Sequence, residues 1–293
     1  MRGFPTSFHL GPLVFHTYGF GLAIAAYVAY LYARRRLERR GIDLGRFGAL
    51  TGWLLVAALV GARGAHIATN WSYYAGSPVR WLEVWRGGLA SFGGIGAALV
   101  VGLWLVRRWW PGVPLAAFTD GLVPALVAGW ALGRVLGPQF MVAGGGHLTH
   151  SWFGLAYQGQ PGKRVPVPLI QGAEDGTLWL ILLYLERRGW GRVRGIVTGV
   201  AMTLWGLERT FDEHFLLGQE SHSGSIGVQL AGLVLAAAGI ATLVVHRPRR
   251  RVDSPSAPTV PSVPLGPPTS SGRSTPRRSA GRAGSGSGRR GRS

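Results

Sequence analysis

Apolar stretches close to the length of a bilayer span recur along this chain, and arginine clusters follow every second one. The stretches run 13–33, 47–69, 88–106, 113–134, 168–185, 194–212 and 225–245, the fifth being interrupted by Glu174 and Asp175. A helix needs about 20 mostly apolar residues to cross a bilayer. In hydrocarbon only helices and closed barrels satisfy their own backbone polar groups. The expected fold is therefore all-α, a polytopic membrane protein of seven transmembrane helices. Arg34, Arg35, Arg36, Arg39, Arg40 and Arg46 follow the first stretch, and Arg107 and Arg108 the third. Arg187, Arg188, Arg192 and Arg194 follow the fifth, and Arg247, Arg249, Arg250 and Arg251 the last. The alternate loops hold only Arg80 and Arg86, then Lys163 and Arg164, then no arginine or lysine between 213 and 224. Because cytoplasmic loops retain the positive charge, an outside N-terminus and a cytoplasmic C-terminus satisfy every loop.

A chain that is 47% hydrophobic and 15% charged does not compose a typical soluble domain. Its net charge of +19 would suggest nucleic acid, but residues 247–293 hold eleven arginines against one acid, Asp253. That segment also carries Pro255, Pro258, Pro261, Pro264, Pro267 and Pro268. It reads as a disordered basic cytoplasmic tail beside a membrane domain of residues 1–246. Such a tail lies against anionic lipid, and no nucleic-acid partner is expected. The chain lacks cysteine, which excludes disulfides, a thiol nucleophile and zinc–thiolate sites. The opening "MRGFPTSFHLGP" has no small-residue cleavage site and reads as a lead into the first span rather than a signal peptide.

Three arginines fall inside apolar stretches: Arg63 in "VGARGAH", Arg134 in "WALGRVLG" and Arg209 in "WGLERTFDEHF". The topology places all three in the outer half of the membrane. A lone intramembrane arginine can snorkel to the interface; three at similar depth, with Glu208 and Glu213 beside one, point to a shared polar cavity. The planar guanidinium fork matches phosphate, so the expected ligand is a phospholipid headgroup. Glu213 lies four residues after Arg209, within reach of it on a helix, and could orient that guanidinium or act as a general base. Asp120 is a further intramembrane charge in need of a partner. His147 and His150 read as ordinary loop histidines, and Ser91 as a helix-packing residue rather than a nucleophile. The run "GGLASFGGIG" (87–96) reads as an irregular helix entry whose backbone N–H groups approach a phosphate. Small-residue packing between helices is the alternative for Gly93, Gly94 and Gly96.

These segments, taken together, resemble the bacterial prolipoprotein diacylglyceryl transferases over roughly residues 10–245. "GPLVFHTYGFGLAI" is similar to that family's first span, with Tyr18 and Gly19 on its Tyr-Gly. "GARGAHI" and "VWRGGLASFGG" are similar to its Gly-Ala-Arg span and its Trp-x-Gly-Gly loop. "FTDGLVPALVAGWALGRVLGPQF" places Arg134 on an essential arginine, and "WGLERTFDEHF" places Arg209 and Glu213 on an Arg–Glu pair. "IGVQLAG" fits the start of the last span through Gln229. The resemblance implies transfer of the diacylglyceryl group of phosphatidylglycerol to the lipobox cysteine thiol of a prolipoprotein, by a cofactor-free, metal-free monomer in the bacterial cytoplasmic membrane. Arg134, Arg209 and Glu213 would be catalytic. Tyr18, Arg63, Gly87, Gly88, Gly93, Gly94, Asp120, Gly144 and Gln229 would bind substrate.

The chain departs from the family pattern at several places. Phe92 stands at a histidine, and Gly145 at a glutamate with Pro138 or Gln139 near an asparagine. Val165 and Gln171 stand at the ends of a His-Pro-Thr-x-Leu-Tyr-Glu motif, and Trp205 at a tyrosine. These departures leave open a second reading, a paralogue that handles a phospholipid without the transfer chemistry. A third, an anion transporter, has the ordered motifs against it.

Overall fold

The computed structural model describes residues 4–11, 13–83, 88, 90–215 and 222–246. The fold is mostly helical. Its long helices are α1 (Thr17–Arg39), α2 (Phe47–Thr69), α4 (Ser91–Trp109), α5 (Leu115–Leu136), α6 (Val167–Arg187), α7 (Ile196–Phe215) and α8 (His222–Val245). A short α3 (Trp71–Tyr74) follows α2. Strands β1 (Ser7–Leu10) and β2 (Leu13–His16) form an antiparallel hairpin, and β3 (Leu155–Ala156) pairs with β4 (Lys163–Arg164) inside the long loop between α5 and α6. The segments Phe47–Thr69, Leu115–Phe140 and Ile226–Val245 are long and apolar enough to cross a membrane. Helices α1, α6 and α7 carry arginines or acids within their own turns, which lowers their apolar content.

The first apolar stretch differs from expectation at both ends. Residues 13–16 are strand β2, and α1 runs on through Arg34, Arg35, Arg36 and Arg39. Arginine is a good helix former, and Arg36 has a partner that rewards continuing: its Nη2 lies 2.6 Å from Glu186 Oε1 at the end of α6. The third stretch becomes helical only at Ser91. The basic segment 247–293 lies outside the described residues.

Helix pairs pack antiparallel at very short range. A Cβ on Gly21 of α1 would strike the Leu136 carbonyl oxygen of α5, and one on Gly129 of α5 would strike Ala29 Cβ. Only glycine permits this approach. Helices α2 and α4 meet in the same way through Gly61 and Gly93, and α7 and α8 through Gly206 and Gly232. This is the small-residue packing that serves helices in lipid, where apolar side chains gain little by leaving the solvent.

Two apolar clusters hold the bundle. One joins Leu37 of α1, Phe47 and Leu50 of α2, Leu105 and Val106 of α4, and Phe118 of α5. The other joins Val127 of α5, Leu178 and Leu182 of α6, and Val197 and Ala201 of α7. Meanwhile Leu55, Val60, Leu99, Val100 and Val234 remain 60–69% exposed, while Arg63, Asp120, Asp175 and Asp212 are buried. Apolar side chains outside and charges inside suit a body whose surroundings are hydrocarbon.

Candidate active site

Pro166 and Pro168 stand at the start of α6, where proline's missing N–H costs nothing. From there Gln171, Glu174 and Asp175 follow at helical spacing and fall on one face. On α7, Trp205, Glu208 and Arg209 repeat the same i, i+3, i+4 pattern and Asp212 extends it to i+7. These seven side chains line one narrow recess. Arg134, in the last turn of α5, completes it: the charges of Arg209, Asp175 and Asp212 act on it, as does the Tyr18 phenol of α1.

Asp212 is 2% exposed and sits at the centre of the contacts. Its Oδ2 accepts a 2.8 Å hydrogen bond from Gln171 Nε2 and lies 3.4 Å from Arg209 Nη1. The Glu174 carboxyl meets that of Asp212, and Trp205 lies beside Asp175. The Arg134 guanidinium lies 5.2 Å from the Trp130 ring centroid, and Trp130 in turn packs edge-on against Trp205. Four buried polar atoms here have no hydrogen-bond partner: Arg134 Nε, Glu174 Oε2, Glu208 Oε2 and Asp212 Oδ1. Buried polar groups are normally paired, so four orphans converging on one recess mark a place built for a ligand or for chemistry. Two arginines face four carboxyl groups, which makes this recess poorer in net positive charge than the arginines alone suggest. Among the described residues, no three of His, Asp and Glu are placed to hold a metal ion.

The structure thus brings Arg134, Arg209 and Tyr18 together. Glu213 is half-buried, but Arg209 pairs with Asp212 three residues on rather than with Glu213 four residues on. The Gln171 bond draws Asp212 inward and gives it the better claim on the guanidinium.

Other expected site residues lie elsewhere. Arg63 of α2 donates to the backbone carbonyls of Trp81 (2.9 Å), Gly88 (3.1 Å) and Arg80, with its guanidinium over the Tyr74 ring. It fastens the loop before α4 to α2. Gly88 adopts a left-handed φ of 78°, and a Cβ there would strike His66. Gly93 and Gly94 are consumed by packing against Gly61, Ala65 and Ala58, as the packing alternative has it. Gly87 and the side chain of Phe92 lie outside the described residues. Asp120 is fully buried one turn into α5, about 20 Å along that helix from Arg134. Its carboxylate accepts from Gly195 N (2.6 Å), Thr198 N (2.8 Å) and Thr198 Oγ1 (2.6 Å), capping the start of α7. Gln229 of α8 accepts a 3.3 Å bond from Thr210 Oγ1 on its backbone carbonyl, which ties α8 to α7.

The loop between α5 and α6 is folded around Tyr157. Gly144 and Gly145 pack on its ring, and a Cβ on Gly145 would fall 2.7 Å from it. The Tyr157 hydroxyl donates 2.8 Å to Gln139 Oε1, and burial pushes this phenol above its ordinary value, against the pull of that bond. The Gly145 N–H donates to Gln160 Oε1. Buried Val165 exchanges backbone bonds with Gly146 and His147, which places His147 as a strand-like loop residue.

Sequence reasoning missed Asp212 and read Glu174 and Asp175 only as an interruption. The signal available was the shared register of polar residues at 171, 174 and 175 and of Trp205, Glu208, Arg209 and Asp212. It says that each helix has a polar face, but not that the two faces meet.

The prolipoprotein diacylglyceryl transferase family matches this chain over residues 5–245. A Synechococcus elongatus protein named phosphatidylglycerol–prolipoprotein diacylglyceryl transferase is 29% identical over 82% of this chain and 86% of its own length. A Geobacter sulfurreducens protein of the same name is 32% identical over 72% of this chain and 81% of its own. One from Tolumonas auensis is 27% identical over 79% and 93%.

Proposed function

The chain belongs to the prolipoprotein diacylglyceryl transferase family, and we propose that it transfers the diacylglyceryl group of phosphatidylglycerol to the lipobox cysteine thiol of a prolipoprotein. The observation that carries this reading is the meeting of Arg134 from α5 and Arg209 from α7 in one recess that holds unpartnered polar atoms. Two guanidiniums there can grip the phosphodiester and stabilise the charge left on the departing glycerol phosphate. Tyr18, beside Arg134, would add a hydroxyl to that grip. The acceptor thiol reacts as its thiolate, and the carboxyl groups of the recess supply the means of taking its proton. The cysteine belongs to the substrate, which suits an enzyme that has none.

Seven spans, an outside N-terminus and a recess opening toward the outer leaflet of the bacterial cytoplasmic membrane complete the proposal. The arginine distribution supports that orientation. The protein would act as a monomer, with residues 247–293 forming a separate basic tail on the cytoplasmic side.

Membranes carrying the protein should move labelled diacylglycerol from phosphatidylglycerol to a lipobox peptide, and Arg134→Ala or Arg209→Ala should reduce the rate about 10³-fold or more. Absence of transfer by the folded parent protein that still binds phosphatidylglycerol would overturn the enzyme reading.

A further inference from the structure

Two carboxyl groups touch at the centre of the recess. Asp212 sits on α7 and Glu174 on α6, their contact lies beside Arg209, and each keeps one oxygen, Asp212 Oδ1 and Glu174 Oε2, buried without a partner. Two ionised carboxylates do not rest against each other in a buried site; such a pair holds one proton between them. The environment decides which partner keeps the negative charge. Asp212 receives Gln171 Nε2 at 2.8 Å and faces Arg209 Nη1 at 3.4 Å on Oδ2, whereas no positive group is described against Glu174. Asp212 is therefore the carboxylate and Glu174 the acid.

We propose that Asp212, held by Gln171 and Arg209 and backed by the protonated Glu174, is the group that takes the proton from the acceptor thiol in this chain. The inference rests on the transferase reading above and names the base within it. The step balances. The S–H proton passes to Asp212, the thiolate sulfur attacks the diacylglyceryl CH₂ carbon, and the C–O bond to phosphate breaks. Asp212 then returns the proton to the phosphate oxygen that has been released, so that glycerol phosphate leaves and the carboxylate is restored. Glu213 is not needed for this. The other charges around the pair are Asp175 on α6, Glu208 on α7 and Arg134 on α5, with the Tyr18 phenol on α1. Asp175 lies beside Trp205. Glu208 has Asp175 and Asp212 as like-charged neighbours and Arg209 as its opposite one.

The test compares the parent with Asp212→Asn, Glu174→Gln and Glu213→Gln in the full-length protein. It measures transfer to a lipobox peptide from pH 6 to 9 and binding of phosphatidylglycerol to each variant. Asp212→Asn keeps the shape and the Gln171 and Glu174 contacts but cannot take a proton. It should bind phosphatidylglycerol like the parent and transfer about 100-fold more slowly at pH 7. Its rate should rise about tenfold per pH unit toward the thiol's own pKa near 8.5, because only pre-ionised acceptor then reacts. A selenocysteine lipobox peptide, ionised at neutral pH, should restore its rate. Glu174→Gln keeps a neutral hydrogen-bond donor beside Asp212 and should stay within about tenfold of the parent. The assignment is overturned if Asp212→Asn transfers at the parental rate, or if its loss is the same at every pH and with the selenol. It is overturned equally if Glu174→Gln or Glu213→Gln alone shows the alkaline rescue. Failure of the parent itself to transfer sinks the underlying function, a result distinct from any of these.

Discussion

Ionisable side chains are buried at both ends of this helix bundle, but they are treated in opposite ways. At the end where the arginines cluster, the buried charges of Arg36, Glu186 and Asp120 are answered. Arg36 reaches Glu186 at 2.6 Å and the Gly121 carbonyl at 2.9 Å, and Arg40 reaches the same Glu186 at 2.8 Å. Asp120 accepts three hydrogen bonds from the start of α7. At the other end, Arg134, Glu174, Glu208 and Asp212 each leave a buried polar atom unanswered. The penalty for an unpaired buried polar group is about 1–3 kcal/mol, so the second end stores a cost that the first end has removed. A charge inside a membrane protein is thus not by itself a functional mark; a charge whose hydrogen bonding is left incomplete is the more telling sign.

The comparison breaks most visibly at Asp120. Asp120→Ala would strand the Gly195 and Thr198 N–H groups and the Thr198 hydroxyl in a closed interior. The expected loss is about 3 kcal/mol or more of stability, read as a lowered midpoint of thermal unfolding in detergent. The fraction that remains folded should transfer at the parental rate, since Asp120 stands at the far end of α5 from Arg134. A folded variant with a large catalytic defect would show that the two ends are coupled rather than divided in their tasks.

Arg63 shows how far the sequence alone could sort these cases. Like Arg134 and Arg209 it is an arginine inside an apolar stretch, and that is what a hydropathy pattern reports. What separates it is a neighbour: the loop after α3 turns its carbonyls onto the guanidinium. The helices themselves were legible, and α2 covers the 47–69 expected from apolar length. Arg134 and Arg209 were legible as charges in apolar surroundings. Asp212 was not, because its role depends on the rotation of α6 against α7, which depends on packing from both sides. Asp120 was legible as an intramembrane charge in need of a partner, but not as a cap, because its recipient lies 75 residues further on.

Arg63→Lys sharpens the division at intermediate size. Lysine keeps the charge but replaces a planar fork that reaches several carbonyls with a single ammonium group. The expected loss is about 1–2 kcal/mol of stability, with phosphatidylglycerol affinity unchanged. A selective loss of lipid affinity at unchanged stability would instead move Arg63 from the fastened side of the comparison to the ligand side.

The smallest expected effect lies at Glu208, and it has the opposite sign to the others. Glu208 lines the recess with an unpartnered Oε2, and the like charges of Asp175 and Asp212 act on it. A phosphodiester entering here meets two guanidiniums but also this surplus of carboxyl groups. Glu208→Gln preserves the side chain's volume and removes the capacity for negative charge, so the anionic headgroup is repelled less. Phosphatidylglycerol should bind a few-fold more tightly, an effect on the order of 1 kcal/mol for a charge at this separation in a site of intermediate dielectric. An uncharged diacylglycerol should bind with unchanged affinity, because it has no phosphate to feel the difference. Equal tightening toward both lipids would mean that the substitution only relaxes the recess. Weaker binding of the phospholipid would mean that Glu208 hydrogen-bonds the glycerol headgroup, and its lone oxygen would then be a ligand contact rather than a surplus charge.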